Sequence, residues 1–126
     1  MKILVVDDEQ DMQTLFQQRF RREIKDHKVE FAFATSGENA LEYLNSLHHE
    51  AVLILSDINM PGMSGLELLR QIKHQYKTPP PVVMMVTAYG DAENYNTAMQ
   101  LGADDFLTKP LDFNLLKEKL KIEANV

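Results

Sequence analysis

The sequence predicts an α/β fold in which five helices cover a doubly wound, five-stranded parallel sheet with the strand order 2-1-3-4-5. Two observations predict it. Short apolar runs alternate five times with segments whose apolar residues recur at helical spacing. The runs are apolar at successive positions, which is typical of strands buried on both faces. Right-handed crossovers then leave few other topologies.

The five apolar runs mark the predicted strands. Each run is bounded by polar or turn-forming residues, and the prolines at 79–81 cannot continue a helix because proline lacks the backbone N–H. In the predicted order, strands one and three are neighbours, so the polar residues that close them should meet. The predicted strands are residues 2–6, 28–34, 51–56, 82–86 and 104–108.

The segments between the strands predict the helices. Ser36, Ser64 and Asp91 stand where the second, third and fourth helices should begin, because their side chains accept N–H groups of a first turn. Gly102 should end the fourth helix, and the fifth is expected over residues 112–122. The apolar face of the first predicted helix comprises Met12, Leu15, Phe16, Phe20 and Ile24.

Length and composition narrow the class of protein. At 126 residues the chain is the size of one domain, and it has no cysteine for a disulfide or thiolate metal site. A formal net charge of −6 argues against nucleic-acid binding by this domain. Asp7 interrupts the first apolar run too early for a signal peptide, and no run reaches membrane-spanning length. We therefore expect a cytoplasmic domain without membrane contact.

Charged and polar residues close four of the predicted strands. Asp7 and Asp8 follow the first, Asp57 follows the third, Thr87 the fourth and Lys109 the fifth. Ligand chemistry in parallel α/β sheets lies at these strand ends. Three carboxylates brought together repel one another unless a cation joins them, and Mg²⁺ prefers oxygen ligands. The pattern predicts a magnesium site in which Asp7 and Asp8 are ligands.

Asp57 ends the central strand and is the predicted nucleophile. A carboxylate can accept a phosphoryl group as an acyl phosphate, a reaction that needs positioning and charge neutralisation more than acid–base groups. The metal would bridge Asp57 and a phosphoryl oxygen, with the Asn59 carbonyl as a further ligand. Lys109 and Thr87 would contact other phosphoryl oxygens. A cis peptide bond before Pro110 is expected to aim the lysine.

Asp7-Asp8-Glu9, Asp57, Thr87-Ala88 and Lys109-Pro110, in this order and spacing, resemble the receiver domain of bacterial two-component response regulators, of the chemotaxis-regulator type. Residues 57–65 are similar to the loop that follows the phosphorylated aspartate of that family. The resemblance covers residues 1–123 and leaves 124–126 as a tail or the start of a linker. It implies a flavodoxin-like fold.

The resemblance also implies roles. A histidine kinase or phosphotransfer protein would donate the phosphoryl group to Asp57, so the domain would catalyse its own phosphorylation and dephosphorylation without turning over an external substrate. Thr87 would couple the site to the rotamer of Phe106, where many relatives have tyrosine. The face of the fourth helix, fifth strand and fifth helix, which includes Tyr95 and Phe106, would then bind a downstream target or output domain, or form a homodimer.

Three other functions remain open. A phosphatase with an aspartate nucleophile uses related chemistry, but places an Asp-x-Asp arrangement on strand one. A flavodoxin-like cofactor binder needs a loop that cradles phosphate, which Asp8 and Glu9 would repel. A degenerate receiver would act only as a scaffold. We also expect Tyr89 to screen the acyl phosphate partly from water. Lys117, Lys119 and Lys121 are expected to form a solvated helix face or, alternatively, to rim a docking surface with Tyr95 and Phe106.

Overall fold

The computed structural model describes residues 1–46, 53–76, 81–88 and 90–120. Within these ranges five strands form one parallel sheet in the order β2-β1-β3-β4-β5, which confirms the predicted topology. The predicted start of the third strand at residue 51 lies outside the described residues. The strands are β1 Lys2–Val6, β2 Glu30–Ala34, β3 Leu53–Asp57, β4 Val82–Ala88 and β5 Asp105–Lys109.

Six helices occur in the described ranges, whereas the sequence predicts five. The difference arises at Phe20, whose φ of −109° and ψ of 20° divide the first predicted helix in two. The Phe20 side chain is fully buried, so tertiary packing fixes this residue outside helical dihedrals. The helices are α1 Asp11–Arg19, α2 Arg21–Lys25, α3 Gly37–Ser46, α4 Gly65–Gln75, α5 Ala92–Gln100 and α6 Phe113–Leu120.

The predicted helix starts are confirmed by side-chain hydrogen bonds. In each case a Ser or Asp oxygen accepts the N–H three residues later, which satisfies one unpaired donor of the first turn. Gly102, just past the end of α5, has a φ of +96°, a conformation that glycine adopts without strain. The bonds run from Asn39 N to Ser36 Oγ (3.0 Å), from Glu67 N to Ser64 Oγ (3.2 Å) and from Asn94 N to Asp91 Oδ1 (3.2 Å).

Two apolar cores lie on opposite faces of the sheet. On one face α3, α4 and α5 pack against side chains that include Leu4, Ile54 and Met85. On the other, α1 and α6 pack against Ile3, Val5 and other alternate strand residues. This second core is rich in aromatic rings in edge-to-face or stacked contact, namely Phe16, Phe20, Phe31, Phe33 and Phe113. No helix of the described ranges is long and apolar enough to cross a membrane.

The lysines of α6 differ from the expectation of a solvated face. Lys117 Nζ lies 2.9 Å from Glu23 Oε2, and Lys119 Nζ lies 3.0 Å from both carboxylate oxygens of Asp105. The expectation was wrong for these two residues, because α6 packs where α2 and β5 each present a carboxylate. Lys121 lies outside the described residues.

A close backbone approach joins the start of α4 to the end of β3. Gly65 N donates to Ile58 O (2.7 Å), and a Cβ added at Gly65 would lie only 1.9 Å from the Asp57 backbone oxygen. No side chain larger than hydrogen fits there. Glycine at the first helical position therefore holds the end of β3, with Asp57, against α4.

We predict that Gly65→Ala lowers the free energy of unfolding by about 3 kcal/mol or more, because two backbone segments must separate to admit the methyl group. Gly37→Ala is the matched control at the start of α3. The three atoms nearest to its added Cβ all belong to the Met63 side chain, with Sδ closest at 2.8 Å, and this flexible side chain can move. Urea denaturation of both variants measures the difference, and equal losses would contradict the close approach.

Candidate functional site

The polar residues that close the strands meet at one edge of the sheet. Asp7 follows β1 directly, and its N–H donates to Ala34 O (3.0 Å). Asp57 is the last residue of β3 and pairs with Val86 of β4. Lys109 is the last residue of β5 and pairs with Ala88 of β4. The parallel topology thus gathers groups that are distant in the sequence.

Three carboxylates form an acidic cluster at this edge. One oxygen from each of Asp7, Asp8 and Asp57 lies within 4.8 Å of the others. Asp7 and Asp57 are buried, with 7% and 5% exposure, whereas Asp8 is exposed. Two of the three charges are therefore withdrawn from water while the third faces it.

Lys109 neutralises part of this charge. Its Nζ donates to Asp57 Oδ2 at 2.9 Å and lies 3.8 Å from Asp7 Oδ2. Burial lowers the pKa of Lys109, but the hydrogen bond and charge of Asp57 and the charge of Asp7 outweigh it, so this pKa lies above its usual value. One ammonium beside three carboxylates leaves two negative charges in excess.

The pKa of Asp7 is raised, primarily because the carboxyl is buried. The hydrogen bond from Glu9 N (2.8 Å) and the charge of Lys109 lower it, while the charge of Asp57 raises it further. Ionised Asp7 therefore lacks sufficient positive charge around it. A donor set of carboxylate oxygens with two excess negative charges fits a hard divalent cation such as Mg²⁺.

Thr87 lies on β4, the strand that pairs with β3, and carries a buried hydroxyl. The residue is 1% exposed, and its Oγ1 has no hydrogen-bond partner in the part of the chain that the structure describes. Its register partner on β5 is Thr108, one residue before Lys109. A buried hydroxyl is costly without a partner, so this group is poised to donate to an incoming oxygen.

The other predicted residues lie around this centre. Asn59 is exposed two residues beyond Asp57, and the peptide bond before Pro110 is cis. The rings of Tyr95 and Phe106 meet edge to face with centroids 4.8 Å apart, on the side formed by α5 and β5. Tyr95 is 43% exposed, so this aromatic pair reaches the surface. Tyr89 lies outside the described residues.

Two supporting residues were missed by sequence reasoning. Gly65 fixes the end of β3, as shown above. Glu38 at the start of α3 accepts the Met63 N–H at 3.0 Å, which ties the loop after Asp57 to the neighbouring helix. Gly65 was a usable signal, because a glycine at the start of a helix can indicate a close backbone approach. The turn expected at Pro61-Gly62 is present, with a φ of +73° at Gly62.

Comparison with known proteins agrees with this geometry. A family model described as the response regulator receiver domain matches residues 3–121. Response regulator RppA of Synechocystis sp. is 35% identical over 121 residues, which are 96% of this chain and 49% of RppA. A chemotaxis protein CheY homolog of Campylobacter jejuni is 32% identical over 96% of this chain and 90% of its own length.

Solved structures are also similar. The crystal structure of a response regulator receiver domain protein from Clostridium thermocellum matches with a TM-score of 0.81 and 29% identity, over 95% of this chain and 90% of that one. The chain thus spans about half of RppA and nearly all of the CheY homolog.

We predict that Mg²⁺ raises the melting temperature of the protein relative to EDTA, because a ligand that binds only the folded state stabilises it. Asp8→Asn should lose most of this increase, since Asp8 is an exposed member of the cluster. Glu42→Gln, an exposed carboxylate on α3, is the control and should keep the full increase. Equal responses of all three proteins in a thermal scan would contradict a metal site at these residues.

Asp7→Asn should be more stable than the parent in EDTA. The change removes a charge whose ionised form is disfavoured by burial and by Asp57, while the amide oxygen can still accept the Glu9 N–H. We expect a higher free energy of unfolding than that of the parent in urea denaturation at neutral pH. Saturating Mg²⁺ should reverse the order. A variant less stable than the parent in EDTA would refute the assigned charge imbalance.

Proposed function

Because this chain belongs to the response regulator receiver family of two-component signalling, we propose that it is a phosphoacceptor switch. It takes a phosphoryl group from a partner's phosphohistidine onto Asp57, with Mg²⁺ as cofactor. One observation carries the proposal: the buried Asp57 carboxylate lies beside two further carboxylates and within 2.9 Å of a single ammonium, Lys109. Buried charges are ordinarily paired within a protein, and this cluster has more carboxylates than cations beside it.

The transfer forms one bond and breaks one. A carboxylate oxygen of Asp57 attacks phosphorus in line with the bond to the partner's imidazole nitrogen. The P–N bond breaks, the imidazole leaves with the electron pair and takes a proton from solvent, and Asp57 holds an acyl phosphate. The Lys109 ammonium moves from Asp57 Oδ2 to a phosphoryl oxygen, so its positive charge stays beside a negatively charged oxygen throughout the transfer.

The acidic residues hold the cofactor in this scheme. Asp7, Asp8, Asp57 and the Asn59 carbonyl would be its protein ligands, and the oxygen donors of the cluster fit this role. When bound, Mg²⁺ would neutralise charge on the phosphoryl oxygens and fix their orientation. Asp7 stays buried and oriented by Glu9 N–H, so the ligand set keeps its shape between transfers.

The switch begins at Thr87. Its hydroxyl donates to a phosphoryl oxygen and so gains the partner that it lacks, which draws the end of β4 toward Asp57. Movement there repacks the Tyr95–Phe106 pair on the face of α5, β5 and α6. Phe106 has no hydroxyl, so the two states differ in burial of the ring and not in a hydrogen bond from it.

The partners follow from this scheme. A histidine kinase or phosphotransfer protein supplies the phosphoryl group, and a downstream target, an output domain or a second copy binds the altered face. Residues 1–123 form the receiver, which acts in the cytoplasm. The alternative functions are a scaffold without phosphotransfer and an aspartate-nucleophile phosphatase. A scaffold would not be phosphorylated, and a phosphatase would turn over small phosphate monoesters.

Phosphorylation with acetyl phosphate and Mg²⁺ tests the proposed function. Intact mass should show the addition of one phosphoryl group to the parent. The product should be absent from Asp57→Asn and should not form in EDTA. Phosphorylation of Asp57→Asn to the same extent would overturn the assignment of Asp57, and an unmodified parent would favour the scaffold.

Thr87→Val should abolish the proposed switch without lowering the stability of the fold. The unphosphorylated variant should be at least as stable as the parent, because valine removes a buried hydroxyl that has no partner. Phosphorylation should shift the amide NMR signals of Tyr95 and Phe106 in the parent but not in the variant. Thr108→Val, the exposed register partner, is the control and should respond like the parent. Signals that shift equally in Thr87→Val would contradict the role of Thr87.

A further inference from the structure

A groove of about 700 Å³ lies between α2 and the outer edge of the sheet. Its floor includes the half-buried side chains of Ile24, Phe31 and Phe33, and Arg21 and Lys25 stand exposed at its rim. Residues at the beginnings of β1 and β2 close one end. The acidic cluster follows the opposite ends of the strands, so the groove is separate from the phosphoacceptor site.

One wall of the groove is an open strand edge. β2 is the terminal strand of the sheet and pairs only with β1 in the described ranges. Glu30 N donates to Met1 O, and Ala34 O accepts from Asp7 N, so both residues direct their peptide groups toward β1. Successive residues of a strand alternate, and the N–H and C=O groups of Phe31 and Phe33 therefore face outward.

The rim of the groove is positively charged, although the protein as a whole carries a negative net charge. Neither Arg21 nor Lys25 forms an ion pair within the described part of the chain, and Glu30 is the one acidic residue of the lining. The formal net charge of the whole chain is −6. A second copy of this chain, added strand to strand about a two-fold axis, would bring these cations against their own counterparts. The charge pattern instead fits a partner that carries carboxylates.

We propose that this groove is a docking site for an extended acidic segment of a partner protein. The segment adds to β2 as a sixth strand and bonds to the outward peptide groups of Phe31 and Phe33. Side chains of every second residue of the segment point toward α2. The apolar ones among them cover Ile24 and the two phenylalanine rings, and the carboxylates among them reach Arg21 and Lys25. Backbone bonds supply affinity in this recognition mode, and side chains supply specificity.

The probe is a fluorescein-labelled peptide of about eight residues, a length typical of a strand, with the sequence Thr-Val-Thr-Glu-Thr-Val-Thr-Glu. Every Val and Glu of this peptide lies on the same face of the strand. Fluorescence anisotropy should show saturable binding, and NMR hydrogen exchange should show added protection of the Phe31 and Phe33 amides. The same peptide with Lys in place of Glu, and one in which each Glu changes places with the Thr before it and so lies on the opposite face from Val, should each bind about tenfold more weakly or worse. Equal binding of either comparator, or unprotected amides, would overturn the proposal.

Charge reversal of the rim supplies the matched variants. Arg21→Glu combined with Lys25→Glu should weaken binding of the peptide with Val and Glu on one face by about tenfold or more. Arg22→Glu, on the same helix but outside the groove lining, should change binding little. If the charge-reversed variant has a lower melting temperature than the parent, Arg21→Gln combined with Lys25→Gln replaces it. This charge-neutralised variant should still bind the peptide more weakly than the parent does. Retained affinity in the rim variants would refute the site.

Two further measurements separate this proposal from others. Asp57→Asn should bind the peptide as tightly as the parent, because the groove is separate from Asp57. The docking test therefore gives its answer whether or not Asp57 accepts a phosphoryl group. Single-stranded DNA and phosphatidylserine–phosphatidylcholine vesicles should not displace the peptide. Displacement by either at physiological salt would show that the basic rim recognises a polyanion or a membrane surface, and the strand-addition proposal would fall.

Discussion

The site depends on an electrostatic imbalance that the fold maintains. Three carboxylates converge, and the Lys109 ammonium lies beside two of them, Asp57 and Asp7. Both of these carboxylates are buried, so little water screens them. Such an arrangement opposes folding, so it persists because the apolar cores on both faces of the sheet outweigh it. Gly65 adds a geometric constraint by holding the end of β3 against α4. The same excess of negative charge makes the site suited to a cation.

Sequence reasoning reached the strand order and the meeting of the site residues because both follow from simple periodicities. Buried parallel strands are apolar at successive positions, and their carboxyl ends share one edge of the sheet. The division of the first helix at Phe20 escaped prediction, since it depends on how that ring packs against residues distant in the sequence. Lys117 and Lys119 were misjudged for the same reason. Their partners Glu23 and Asp105 are distant in sequence and become neighbours only when α6 docks.

The surroundings of the proposed switch suggest where movement is easy and where it is resisted. Lys119 holds both oxygens of Asp105, which anchors β5 to α6 directly beside Phe106. Among the residues that the structure describes, the rings of Tyr95 and Phe106 contact each other without a comparable side-chain polar bond, and the pair reaches the surface. A pull on Thr87 is therefore expected to repack this aromatic pair while α6 stays in place. On the far side, the aromatic core around Phe16 gives the open groove at β2 a firm floor that does not depend on phosphorylation.

Borohydride reduction of the phosphorylated protein, followed by peptide mass mapping, locates the acyl phosphate most directly. Reduction of an aspartyl phosphate yields homoserine at the position that carried the phosphoryl group. The electrostatic account predicts homoserine at residue 57, because Asp57, unlike Asp7 and Asp8, ends the central strand and accepts a hydrogen bond from Lys109. Homoserine at residue 7 or 8, or a phosphoryl group recovered on histidine, would contradict it.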